Sequence, residues 1–122
     1  MALVYESGRF IKATASAAVT AGNVVELTGA ETVAPTGSTG STAVIGVALN
    51  NAAQGGLVTV VTRGVVEVTA AGAISVGALV QSAANGRVAS LTLSAVGDVA
   101  KIVGKALTAA SAAGDKIKIL LG

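Results

Sequence analysis

Three observations predict an all-β fold in a single domain, a small barrel or sandwich built on an internal duplication. Apolar and polar residues alternate, Gly and Asn punctuate the chain densely, and residues 18–64 reappear, loosely, as residues 73–122. The first copy reads Ala18-Val-Thr-Ala-Gly22, then Ile45-Gly46-Val-Ala-Leu49, then Gly55-Gly56-Leu-Val-Thr-Val60. The second reads Ala73-Ile-Ser-Val-Gly77, then Val103-Gly104-Lys-Ala-Leu107, then Gly114-Asp-Lys-Ile-Lys-Ile119. The offset grows from 55 at Gly22/Gly77 to 58 at Gly46/Gly104 and 59 at Val60/Ile119, so strand blocks persist while loops change length. A duplicated β unit in so short a chain implies one pseudo-symmetric body.

Taken in order, the chain opens with its only Met, Tyr and Phe: Met1, Tyr5 and Phe10. Two readings fit this segment. Tyr5 and Phe10 anchor a first strand to the domain's own core, or Leu3, Val4, Tyr5, Arg9, Phe10 and Ile11 form an extended adhesive arm. The second reading makes residues 1–15 an arm and 16–122 the barrel. An extended apolar segment suits strand addition to a partner, with main-chain hydrogen bonds for affinity and alternate side chains for pockets.

Gly22 and its counterpart Gly77 mark equivalent turns. Pro35–Thr42 is rich in Gly, Ser and Thr and reads as a mobile surface loop. The Ala-rich pieces Asn50–Gln54 and Thr108–Ala113 allow one helical turn each. Leu57–Thr69 alternates, with Val58, Val60, Val66 and Val68 on one parity; Gly64 on that parity marks a bulge or a close backbone approach. Asn85-Gly86 between apolar residues predicts a two-residue hairpin. Leu93–Leu107 has a partial helical face at Val96, Val99, Ile102 and Val103, yet the repeat makes Ala100–Leu107 the counterpart of a strand at Ala43–Leu49. Gly56 and Gly114 turn the chain into the last strand of each copy. That last strand alternates strictly at Lys116-Ile117-Lys118-Ile119.

Composition narrows the function. Hydrophobic residues make up 52% of the chain, but they are mostly Ala and Val, and each buried Val contributes only about 1.5–3 kcal/mol. Burial against further copies or a partner is therefore expected. With no His and no Cys, the commonest general base and the commonest soft metal ligands are missing. Glu6, Glu26, Glu31, Glu67, Asp98 and Asp115 are scattered, which suits neither paired carboxylates nor a Ca²⁺ loop. No enzyme activity, cofactor, metal or small-molecule substrate is expected. A net charge of +2, without aromatics among the basic residues, argues against nucleic acid. Gly, Pro and polar residues interrupt every uncharged run and Glu6, Arg9 and Lys12 break up the N-terminus, so neither a membrane span nor a signal peptide is expected.

Six blocks in sequence order resemble the capsid cement, or head-decoration, proteins of tailed bacteriophages. They are Tyr5–Ala15, Ala18–Val25, Ile45–Gly55, Val58–Val68, Ser75–Val80 and Val103–Leu121. The resemblance implies a β-tulip barrel, a homotrimer, and a seat on the outside of the expanded head at three-fold junctions between major capsid proteins. It also implies an N-terminal arm that adds to a strand of the shell, which favours the arm reading of Leu3–Ile11. One departure lies there: the family often has Pro-Gly-Asp where this chain has Ser7-Gly8-Arg9. Gly104-Lys105-Ala106 is no phosphate loop, lacking the upstream Gly and the hydroxyl. The competing reading is a tail, fibre or cell-surface β-domain for adhesion or carbohydrate binding, which would want an exposed aromatic platform away from the N-terminus.

Overall fold

The computed structural model describes residues 9–121, which form nine strands and two short 3-10 turns. The strands are β1 (Arg9–Ala15), β2 (Val24–Gly29), β3 (Thr32–Pro35), β4 (Val44–Ala48), β5 (Leu57–Thr69), β6 (Leu79–Ala83), β7 (Arg87–Ser90), β8 (Gly104–Ala106) and β9 (Lys116–Leu121). Five of them close a barrel in the order β1-β3-β2-β4-β5, with β5 returning to β1. All neighbours are antiparallel except β1 and β3, where Thr14 lies beside Thr32 and Ala15 beside Val33.

The second half of β5 begins an equivalent ring, followed in the opposite sense through β9, β8, β6 and β7. A parallel bridge between Ala70 and Val88 brings β7 back to β5, the counterpart of the Ala15–Val33 pair. β5 is thirteen residues long because it serves both units. Main-chain hydrogen bonds repeat with it: Gly22 N donates to Ala48 O and Gly77 N to Ala106 O, each at 2.8 Å. Likewise Ala15 N donates to Gly56 O and Ala70 N to Asp115 O, each at 2.8 Å.

These pairs carry the repeat further back than the sequence reveals, since β1 is the counterpart of the second half of β5. The stretch 1–15 read as an arm is therefore divided. Residues 9–15 are a barrel strand, paired with β5 along Arg9–Thr14 and with β3 at Thr14 and Ala15, with Ala13 and Ala15 buried in the core. Residues 1–8 lie outside the described residues.

Two buried clusters follow the duplication. The smaller holds Ala13, Ala15, Val19, Val25, Val33, Ala48, Val58 and Val60. Their counterparts Val68, Ala70, Ile74, Val80, Val88, Ala106, Ile117 and Ile119 all lie in the larger. Glycine is required at one equivalent pair: a Cβ on Gly46 would run into the Val61 carbonyl oxygen, and one on Gly104 into that of Leu120.

The larger cluster also holds Val24, Val47 and Val61 from the first unit, which join Val66, Val103 and Leu121 at the end of the second. Val24, Val47 and Val61 form one cross-strand row on the outside of the closed barrel, extended by Phe10. So the outer face of unit one covers the open end of unit two. The Pro35–Thr42 segment hooks over the same end and is held rather than loose. Thr36 Oγ1 donates to Ala83 O at 2.8 Å, Ser41 N donates to Ser82 Oγ at 2.8 Å, and Ser82 Oγ donates to Ser38 O at 3.1 Å.

The turns depart from expectation in two details. The Asn85-Gly86 hairpin is a three-residue loop, Ala84–Gly86, between paired Ala83 and Arg87, although both Asn85 (φ 64°) and Gly86 (φ 70°) do take the left-handed region. At the Gly55-Gly56 turn the positive φ belongs to Gly55, the counterpart of Gly114, and not to Gly56. Leu93–Leu107 combines both expectations, a 3-10 turn at Val96–Lys101 followed by strand β8. No helix among the described residues is long and apolar enough to cross a membrane.

Candidate interaction surface

Among the described residues no pocket opens and no three acidic side chains gather as metal ligands. Three carboxylates, those of Glu26, Asp98 and Asp115, serve the fold. Glu26 accepts from Ser41 Oγ at 2.6 Å and from Gly37 N at 3.3 Å, pinning the loop after β3. Asp98 accepts from Ser94 N, Ser94 Oγ, Ala95 N and Lys101 Nζ at 2.9–3.1 Å. The Ser94 amide, the Lys101 ammonium and the Ala95 amide hold its carboxyl well below the usual range, because each favours the charged form. Asp115 is lowered in the same sense by the Ser111 amide and hydroxyl and the Ala112 amide. Any candidate site is thus a surface.

Of the residues expected in an arm, Leu3, Val4 and Tyr5 lie outside the described residues. Arg9, Phe10 and Ile11 lie at the start of β1, opposite Arg63, Val61 and Val60 of β5. Phe10 is 49% and Ile11 45% exposed, so neither is an ordinary core residue. Arg9 and Arg63 are both exposed and directly opposed, a like-charge cross-strand pair that an acidic surface would relieve.

Other apolar residues are exposed as well, Leu57, Val76, Ile102 and Leu107 among them, and three groups bear on the repeat. Leu27, 46% exposed, stands at the same barrel end as Ile11. The 3-10 turn fixed by Asp98 and Lys101 holds out Val96, 93% exposed, and Val99, with Leu93 just before it. Leu120, 46% exposed, lies on the outer face of the second unit between Lys105 and Val65. The signal that finds Leu27 and Leu120 is the repeat: Leu27 is the counterpart of buried Ser82, and Leu120 of buried Val61.

A family model described as "Phage cement protein" matches residues 5–121. Among curated protein sequences, none matches this chain. Among solved structures the chain is similar to the N base of the head fiber gp8.5 in bacteriophage phi29. That likeness has a TM-score of 0.68 at 18% identity and covers 100% of this chain and 95% of the other, and it is one of fold.

Proposed function

This chain belongs to the phage cement protein family and is a structural protein of the phage capsid, and from that premise we propose that it binds the outer surface of the expanded head as a homotrimer and stabilises it at three-fold junctions between major capsid proteins. The family match over residues 5–121 carries the reading, because it takes in both the start of β1 and the whole barrel. The N base of the phi29 head fiber shares the fold, which supports a seat on the head.

The physics is mass action. A protein that binds the assembled, expanded lattice and not its dissociated subunits makes disassembly less favourable with each bound copy. Joining copies in a trimer multiplies modest contacts through effective concentration. The contact with the major capsid protein falls to residues 1–8, which carry Leu3, Val4 and Tyr5, and to Phe10 at the start of β1. Arg9 and Arg63 meet acidic groups of the shell.

Co-sedimentation with purified expanded shells tests this. The full chain should pellet with shells at about one copy per major capsid protein, saturably and reversibly, and raise the temperature at which they come apart. A chain lacking residues 1–8 should stay folded and lose most of that binding. Full decoration by the shortened chain overturns the arm, and a folded full chain that ignores shells overturns the whole reading.

A further inference from the structure

The two units of one chain already display a contact whose other half is exposed. Inside the chain, the outer row Val24–Val47–Val61 of unit one covers the open end of unit two, and the loop after β3 hooks onto Ser82 and Ala83 at that end. Each partner in this contact has a counterpart. The row corresponds to Leu79–Lys105–Leu120, cross-strand neighbours on the outside of unit two. The hooking loop corresponds to 91–103, the segment that holds out Leu93, Val96 and Val99. The open end of unit two corresponds to that of unit one, where Ile11, Leu27 and Ile45 stand in the places of Val66, Ser82 and Val103.

Exposure follows this scheme. Val66 is fully buried whereas Ile11 is 45% exposed, and Val61 is fully buried whereas Leu120 is 46% exposed. Chemistry follows it too. Within the chain the hook is polar, made by Ser38 and Ser41 on Ser82. At the uncovered positions both sides are apolar, with Leu27 in place of Ser82 and a loop tipped by Val96 and Val99 in place of the serines. Both halves of the exchange match each other.

We infer that the open end of unit one is the docking site for a second copy of this chain, whose outer row at Leu120 and loop at Val96 cover Ile11 and Leu27, repeating the internal contact head to tail. Lys105 stands where the first row has Val47, so its stem packs at the rim while the ammonium reaches water. Such a contact uses two different patches and closes into a ring when the rotation permits. This inference rests on the trimer proposed above only for the number of copies. It also places the chain ends: β5 runs from Thr62 to Gly64, so Leu121 of one copy lies about 7 Å from Arg9 of the next, two residues along a strand.

The chain has no Cys, so engineered thiols report without background. Full-length Leu27→Cys and Val96→Cys variants, both at exposed positions, are mixed in solution and treated with a short bismaleimide. A two-chain product is expected at a yield roughly tenfold above either variant alone, as seating raises the effective concentration of the two thiols. The double variant should give covalent multimers, and removing residues 1–8 should leave the cross-link intact. Equal yields from single variants, an intrachain bridge in the double variant, no product, or loss of product without residues 1–8 each overturn the inference. Independently, Leu120→Asp should lower the light-scattering mass to that of one chain with an unchanged circular dichroism spectrum; an unchanged mass also overturns it. Cross-linking by a protein that ignores shells refutes the shell reading alone.

Discussion

At Gly46 and Gly104 the strand backbone is so close to the neighbouring carbonyl that no side chain fits. Gly46→Ala or Gly104→Ala should each cost about 1–3 kcal/mol, the usual range for overpacking. Gly97→Ala, with open space around it, should stay within about 0.5 kcal/mol. Urea unfolding of the three variants checks the contrast, and equal losses would remove the close-approach argument. Acid response is also set by single residues. Asp98 and Asp115 have carboxyls lowered by hydrogen bonds that exist only in the folded chain, so the unfolded state binds protons first. Their stabilisation is complete above the ordinary carboxylate range, about pH 4, and is lost as pH falls through their lowered values. Unfolding midpoints should be flat from neutral pH to about 5 and fall below about 4, and amide exchange should quicken first at 94–98 and 111–115. Asp98→Asn should flatten part of that fall; an unchanged acid limb would show that these turns do not matter.

Strand β1 decides where the chain can be shortened. Removing residues 1–8 leaves the closed barrel whole, whereas removing 1–15 takes away the strand between β3 and β5 and exposes Val58 and Val60. The first variant should unfold in urea as the full chain does, and the second should show no cooperative transition; a cooperative second variant would mean that β1 is dispensable. The hook after β3 has its own test. Ser82→Ala strands the Ser41 amide and the Ser38 carbonyl and should cost about 1–3 kcal/mol, read from the same unfolding curves. Much at this scale was legible in the sequence. Alternation in Leu57–Thr69 and Lys116–Ile119 predicted strands, and the Gly46/Gly104 match located β8, while the helical face before it became the 3-10 turn Val96–Lys101. β1 was one of the two readings of the first segment, and its place in the repeat was hidden because Lys12 and Ala13 share no obvious likeness with Glu67 and Val68. The loop at Pro35–Thr42 was misread because Ser and Thr look solvated until their partners, here Ser82 and Ala83, are known.

The whole molecule is two copies of one unit that cannot be separated, since β5 belongs to both. Thermal unfolding should therefore be a single transition with matching calorimetric and van't Hoff enthalpies; two resolved transitions would mean that the units melt apart. The exposed half of the self-contact was not legible in the sequence, because only the fold shows that Val61 is covered and Leu120 is not. One consequence of the β1–β5 pairing concerns force. These strands run antiparallel from Arg9–Arg63 to Thr14–Leu57. A pull on Arg9 directed along β1 must slide that strand lengthwise past β5 and load the rungs together, whereas a pull directed away from the sheet peels them one by one from the Arg9–Arg63 end.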